Sequence, residues 1–267
     1  MRDKQSSRDF QHKKSLGQNF CINPNLCDSL IELLAPADNA TIWEIGPGKG
    51  ALSEKIIEKT DDYLLFEIDE RLKEDLEKIA SPDRIIFGDF LKTDFSKLPK
   101  PANDFYICGN LPYCSATHII TQILESSLNP RRLVFLLQEE VAVKAAASVN
   151  EKEYGYLSVH RAFFAKAQTG KKFSPENFIP KPKVMSKLLA LEPLLLTQEE
   201  KKERIEVLKK VSVLFTQRRK MVLPRLKKGF PNTDFADRFI SMNLSPEARP
   251  ENISPEQYLL LFKKSGE

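Results

Sequence analysis

Short apolar runs alternate with stretches of helical spacing through the first half of the chain. "TIWEI" runs into the turn "GPGKG", and "ALSEKIIEK" follows with Leu52, Ile56 and Ile57 on one helical face. "YLLFEIDE" predicts a second strand, "RLKEDLEKIA" a helix and "RIIFGDF" a third strand. "DFYICGNLPY" predicts a fourth strand, "ATHIITQILES" a helix and "RLVFLLQ" a fifth strand. Strands that alternate with helices in this way point to an α/β fold of parallel βαβ units, with helices on both faces of the sheet. "LSVHRAFFAKAQ" and "KVMSKLLALEP" are expected to add two closing strands.

From about Thr197 the pattern changes. "QEEKKERIEVLKKVSVLF" spaces Ile205, Leu208, Val211 and Phe215 as one stripe on a charged helix. Shorter helical segments follow, punctuated by Pro224, Pro231, Pro246 and Pro255. The expected organisation is a sheet domain over residues 1–195 and a helical domain over residues 196–267. No internal repeat or low-complexity tract interrupts either part.

Composition narrows the class. At 41% hydrophobic residues, 267 residues suffice for a sizeable core. No run of about 18 apolar residues occurs and the start lacks an apolar leader, so a cytoplasmic protein with no membrane span is expected. The four cysteines, Cys21, Cys27, Cys108 and Cys114, form no C-x-x-C pair and read as reduced thiols; no metal site is expected. The net charge is only +4, but it is unevenly placed. Between Val207 and Phe230 there is no acid, while Lys209, Lys210, Arg218, Arg219, Lys220, Arg225, Lys227 and Lys228 are basic. That is the electrostatic footprint of a phosphate backbone, set against the plainer reading of a solvated helix face. Lys13, Lys14, Arg161, Lys171 and Lys172 are weaker candidates for the same surface.

Ligands of such sheets bind beyond the carboxyl ends of the strands. Gly46 and Gly48 allow a tight turn and a close backbone approach, and Glu67 ends the next strand about 20 residues on, where a carboxylate can grip ribose hydroxyls. This spacing does not by itself separate NAD from another adenosine cofactor. Asp89 in "GDF" is a candidate acceptor for an adenine amino group, with Phe90 packing on the ring; the simpler role for Asp89 is a turn or cap.

"GNLPYC" ends the fourth strand at the same edge. The exocyclic amine of adenine is a poor nucleophile because its lone pair is delocalised into the ring. An amide oxygen on Asn110 can accept one of its protons, and the Leu111 carbonyl, held by Pro112, can accept the other. Tyr113 can stack on the base. Such a cradle suits an adenine drawn out of its stack.

In this order, "EIGPGKG", "FEID", "GDF" and "GNLPY" resemble the class I S-adenosylmethionine-dependent amino-methyltransferases. "KKSLGQNFCIN", "YGYLSV", "FIPKPKVMS", "FTQRRK" and "RPENIS" narrow the resemblance to the KsgA/RsmA family of small-subunit rRNA adenine N6-dimethyltransferases. It extends from about residue 12 to residue 260. It implies a Rossmann-like catalytic sheet, a small C-terminal helical RNA-binding domain and S-adenosyl-L-methionine as cofactor. It also implies N6-dimethylation of two adjacent adenosines in a hairpin near the 3′ end of the rRNA, within a pre-30S particle, with a role in ribosome biogenesis; the chain is expected to act as a monomer. By the same resemblance Gln18, Asn19 and the backbone at Cys21 close over the cofactor, and Gly46 meets its methionine end. Glu67 meets the ribose and Asp89 the adenine. Asn110 touches both cofactor and target, and Phe178 gives the base a second stacking face. Cys114 departs from the family, which usually has Asn there; attack by an amine needs no thiolate adduct, so Cys114 is read as packing. Competing readings are a DNA amino-methyltransferase, a noncatalytic RNA-binding assembly factor, an NAD oxidoreductase, and a methyltransferase of large-subunit rRNA. The tail is small for a DNA-reading domain, and "FTQRRK" and "RPENIS" favour the small-subunit enzyme.

Overall fold

The computed structural model describes residues 18–231 and 233–263. Its centre is a seven-stranded sheet. β2 (Thr41–Ile45), β3 (Tyr63–Glu67), β4 (Ile85–Phe87), β5 (Phe105–Asn110) and β6 (Arg132–Gln138) are parallel neighbours. β9 (Ser186–Pro193) runs antiparallel between β6 and β7 (Ala165–Phe173). The strand order is β4-β3-β2-β5-β6-β9-β7. The chain winds outward from β2 to β4, then returns to place β5 on the other side of β2. The order therefore reverses between β2 and β5, which opens a crevice at their carboxyl ends.

Both faces of the sheet are covered, so the central strands are continuously apolar rather than alternating with polar residues. Ile42 and Leu65 face one buried cluster together with Leu30 and Leu34 of α1 (Pro24–Leu34) and Ile56 of α2 (Ala51–Ile57). Trp43 and Ile45 face the other, where the Trp43 ring lies 4.7 Å from Phe105 and 5.2 Å from Phe66, centroid to centroid. Gly109 lets the two strands flanking the crevice approach closely: a Cβ there would stand 2.2 Å from the Ile45 carbonyl oxygen.

The expected helix after β3 is a single 3-10 turn, Glu70–Leu72, followed by the short α3 (Lys73–Leu76). "LSVHRAFF" is no strand. It forms α6 (Tyr156–Phe164), and only from Ala165 does the chain extend into β7. The reason is partly local and partly tertiary. Ser158 accepts from the Gly155 N–H and donates to the Lys144 carbonyl at 2.6 Å, which opens a helical turn. Val159 and Phe163, four apart, then point into the core.

α4 (Ala116–Glu125) packs against α6. Beyond Pro193 come α7 (Gln198–Phe215), α8 (Val222–Gly229), α9 (Phe235–Ser241) and α10 (Pro255–Phe262), with α5 (Glu139–Ala146) earlier in the chain. α7 buries Leu208 and Val211 as expected, and Val207 and Leu214 beside them; Ile205 and Phe215 are half-buried. These helices share one hydrophobic cluster with the sheet through Tyr154, Phe163 and Phe164. Two hydrogen bonds reinforce that seam, from Tyr154 Oη to the Ile253 carbonyl at 2.9 Å and from Lys201 Nζ to the Ser126 carbonyl at 2.6 Å. No helix among the described residues is long and apolar enough to cross a membrane.

Candidate active site

The crevice holds a cavity of about 260 Å³. Its floor is the turn after β2. Gly48 adopts φ +60°, which side-chain-bearing residues rarely tolerate, and a Cβ there would stand 2.7 Å from Cδ1 of Phe20. The turn and the end of β5 face each other, since a Cβ built on Gly46 would lie 3.5 Å from the Asn110 carbonyl oxygen.

Buried acids frame the turn. Glu67 accepts from the Gly48 N–H at 3.0 Å and from the Asp69 N–H at 2.9 Å, so one carboxylate ties the ends of β2 and β3 together. Burial pushes its pKa up, while those backbone donors pull it back. Glu44, in the middle of "TIWEI", also lines the cavity and is 1% exposed. Burial lifts its pKa to about 8 against the hydrogen bond from Ser53 Oγ at 2.6 Å, and Glu67 adds to the rise. Glu44 was not singled out by sequence reasoning; a lone acid inside an otherwise apolar central strand was the available signal. Asp89 caps the 3-10 turn Phe90–Lys92 through the Leu91 N–H, so the capping role and a place on the cavity wall coincide. Phe90 is buried beneath it, packed edge-on against Phe66.

A strap crosses the mouth. β1 (Phe20–Cys21) pairs with β8 (Phe178–Ile179), setting Phe20 opposite Ile179 and Cys21 opposite Phe178. Gln18 Nε2 donates to Asp69 Oδ2 at 2.9 Å. Arg71 and Gln18 hold the Asp69 carboxyl down to about 2. The amide oxygen of Gln18 is buried on the cavity wall with no partner among the described residues, which marks an acceptor waiting for a donor. Asn110 Nδ2 donates to the Asn19 carbonyl at 2.7 Å, so strap and β5 meet over the crevice.

Of the residues expected at the cofactor, Gln18, Asn19, Cys21, Gly46 and Gly48 line the cavity, as do Glu67, Asp89, Phe90 and Asn110. Of those expected at the target, Leu111 and Pro112 line it. Tyr113 does not. It is half-buried beside the cavity, with its hydroxyl 3.0 Å from Ser186 Oγ. Phe178 requires a correction. It is fully buried, packed with Phe20 and Leu188 in the cluster beneath the strap, and has no free face to stack on a base. Alternation along a two-residue strand turns Phe178 inward and Ile179, 51% exposed, outward. Cys114 is exposed at the rim.

The basic run divides. Arg225 donates to the Leu214 and Val213 carbonyls and caps α7. Arg218 pairs with Glu251 and donates to the Lys152 carbonyl, while Lys209 pairs with Glu206. Lys210 sits over the rings of Phe230 and Phe262. Arg219, Lys220, Lys227 and Lys228 are exposed and have no ion pair among the described residues. Arg161 is spent on backbone carbonyls, including that of Ala145 at 2.7 Å; Lys172 pairs with Glu139, and Lys171 reaches Ser29 Oγ. Lys13 and Lys14 lie outside the described residues.

Glu44, Glu67 and Asp89 line the cavity against a single Lys49. Such a wall offers acceptors to a ligand with hydroxyl and amino groups. A doubly wound sheet with this acid-framed glycine turn at its switch point defines a class I methyltransferase. The chain belongs to the ribosomal RNA adenine dimethylase family, whose model matches residues 9–266. It is 33% identical over 264 residues to a ribosomal RNA small subunit methyltransferase A of Geobacillus sp., an alignment spanning 94% of this chain and 91% of that one. The protein of the same name from Aromatoleum aromaticum is 31% identical over 253 residues, 93% and 92% of the two chains. Among solved structures, a dimethyladenosine transferase from Plasmodium falciparum has the same fold, with a TM-score of 0.75 and 20% identity over 91% of this chain and 95% of that one. The 23S rRNA methyltransferase ErmE shares the fold as well, with a TM-score of 0.68 and 22% identity over 91% and 98%.

Proposed function

We propose that the chain transfers methyl groups from S-adenosylmethionine to N6 of two adjacent adenosines in small-subunit rRNA, acting on a pre-30S particle as a monomer. The observation that carries this reading is the meeting of Asn110 with the glycine turn beneath the strap. The donated bond to Asn19 fixes the Asn110 amide, which turns its oxygen into the acceptor left for an adenine N6 proton. The Leu111 N–H is anchored on the Leu136 carbonyl at 3.2 Å, while the Leu111 carbonyl accepts no hydrogen bond among the described residues. Pro112 stiffens the step, and its own carbonyl accepts from Ser115 and Ala116 to start α4. Two acceptors thus draw the amine out of conjugation and aim its lone pair.

When bound, S-adenosylmethionine supplies an electrophilic methyl on a cationic sulfur. The chain's part is positioning and charge. Glu67 receives ribose hydroxyls, Asp89 and Phe90 hold the adenine of the cofactor, and the orphaned Gln18 oxygen takes one of its N–H groups. A monomethylated N6 keeps one N–H for the same acceptors, so a second transfer fits the same cradle. Residues 1–195 act as the catalytic unit and residues 196–267 as the RNA-binding unit, with Arg219, Lys220, Lys227 and Lys228 facing phosphates. The large-subunit reading uses the same chemistry and differs only in substrate. The test is transfer of labelled methyl to undermethylated small subunits, large-subunit RNA and DNA in parallel, followed by nucleoside analysis. Dimethyladenosine in the small-subunit RNA alone is expected; label in either other substrate at equal rate overturns the assignment.

A further inference from the structure

Two thiols meet where the strap leaves the cavity. Cys21 ends β1, is half-buried and lines the cavity wall. Cys27 lies in the first turns of α1 and is 2% exposed. The Cys27 thiol donates to Cys21 Sγ across 3.8 Å, and the Cys21 thiol itself points at the Asn23 carbonyl. A disulfide requires about 2.05 Å, so the sulfurs need to close by only about 1.8 Å. The pair is also chemically unequal. Donation from Cys27 holds the Cys21 thiol below its ordinary value, although burial opposes it. The same contact, burial and the nearby acids Glu44 and Asp28 push Cys27 up. Two sulfurs this close, one on a half-buried residue at the cavity wall and one buried in α1, have the arrangement of an attacking and a resolving cysteine. Of the other two cysteines, Cys108 is fully buried, and Cys114 is exposed with no thiol bonded to it among the described residues.

We propose that Cys21 and Cys27 form a reversible disulfide on exposure to a peroxide, and that this bond pulls the strap off the cavity and weakens cofactor binding. The Cys21 thiolate attacks one peroxide oxygen; the S–O bond forms, the O–O bond breaks, and hydroxide leaves. Hydroxide takes the Cys27 proton and becomes water. The Cys27 thiolate then attacks Cys21 sulfur, the S–S bond forms, the S–O bond breaks, and the departing hydroxide takes up the proton that Cys21 released on ionising, giving a second water. Two thiols have lost two electrons to one peroxide. Drawing Cys21 toward α1 strains its pairing with Phe178 and the Asn110 bond to Asn19, two of the contacts that seat the strap.

Bond formation is independent of the functional reading; only its consequence rests on the cofactor site. The full chain is reduced, treated with hydrogen peroxide, alkylated, digested and mapped by mass spectrometry. A peptide linking Cys21 to Cys27 is expected, lost after dithiothreitol and absent from Cys27→Ala and Cys27→Ser. Calorimetric titration with S-adenosylhomocysteine should show roughly tenfold weaker binding to the oxidised wild-type chain. Both Cys27 variants should keep the reduced affinity after peroxide. Amide exchange across residues 19–23 should accelerate on oxidation. Recovery of Cys21 unmodified or as sulfinic acid, equal affinity of the oxidised and reduced chains, or unchanged exchange overturns the proposal. Failure of the reduced chain to bind S-adenosylhomocysteine overturns the cofactor reading instead, and the peptide map and exchange still decide the disulfide.

Discussion

The two halves of the crevice are built by different means. On the cofactor side, the end of β2 and the end of β3 are tied by backbone donors to Glu67, and buried acids complete the wall. Little there depends on a free rotamer. On the target side, contacts between distant segments do the holding: Asn110 donates to the Asn19 carbonyl of the strap, Tyr113 meets Ser186, and the strap's Ile22 N–H donates to the Asn177 carbonyl at 3.0 Å. One half is set by the sheet itself. The other is set by segments that reach it from opposite ends of the catalytic region. Asn110 borders both halves and is bonded to the strap at the Asn19 carbonyl.

The comparison predicts that a truncation in the target half costs rate and a backbone change in the cofactor half costs affinity. On the proposed function Asn110→Ala removes an acceptor for the reacting nitrogen, and it removes the donor to the strap. Single-turnover methyl transfer should fall by roughly 100- to 1000-fold. The chain should still fold, because Asn110 is half-buried at a strand end. A rate within a fewfold of wild type would detach the amide from the chemistry.

Gly48→Ala attacks the other half. At φ +60° an alanine is strained, and its Cβ would collide with Phe20, the ring that seats the strap. The strain alone costs about 1–2 kcal/mol, and the displaced strap should raise the dissociation constant of S-adenosylhomocysteine by roughly 10- to 100-fold. Thermal unfolding and calorimetry read the two effects separately. An affinity near that of the wild-type chain would show that the glycine turn does not shape the cofactor half.

Glu44 adds a pH signature to the cofactor half. Its folded pKa of about 8 lies above its ordinary 4.5, so the folded chain keeps that proton longer than the unfolded chain. The stabilising contribution is therefore complete below about pH 4.5 and is lost as the pH climbs through about 8. The wild-type chain should lose melting temperature across that window, and Glu44→Gln, which keeps an acceptor for Ser53, should flatten the loss. Parallel slopes in thermal melts from about pH 5 to about pH 9 would remove Glu44 from that role.

The same asymmetry explains what could be read in the chain. The cofactor half was legible because a strand that turns tightly into a helix must show glycine, and an acid at the next strand end shows at fixed spacing. Glu44 went unnoticed because a lone acid in an apolar strand marks an anomaly without saying that it faces a cavity. In the target half, "GNLPY" was legible as chemistry, but the surroundings of Tyr113 depend on Ser186, far along the chain. Phe178 was misplaced because the facing of a two-residue strand is set by its partner, β1, rather than by its own sequence. "LSVHRAFF" read as a strand because short apolar runs fit both periods, and the deciding contact, Ser158 on Lys144, is tertiary.

The smallest expected effect concerns how far the target half extends onto the tail. Among the basic residues of the run, Lys227 and Lys228 at the end of α8 are unpaired among the described residues, whereas Arg225 is committed to the carbonyls that end α7. Removing one lysine from a phosphate should lower the slope of log affinity against log salt by about one unit. Lys227→Gln with Lys228→Gln should therefore flatten the salt dependence of rRNA binding by up to about two units, with unfolding unchanged. Arg225→Gln should do the reverse: it frees two helix-end carbonyls, lowers stability by about 1–2 kcal/mol and leaves the slope nearly intact. Filter binding over a salt series, paired with thermal melts of both variants, separates the outcomes. A slope that drops for Arg225→Gln and stays for the lysine pair would move the RNA footprint off this end of α8 and toward Arg219 and Lys220, which follow α7.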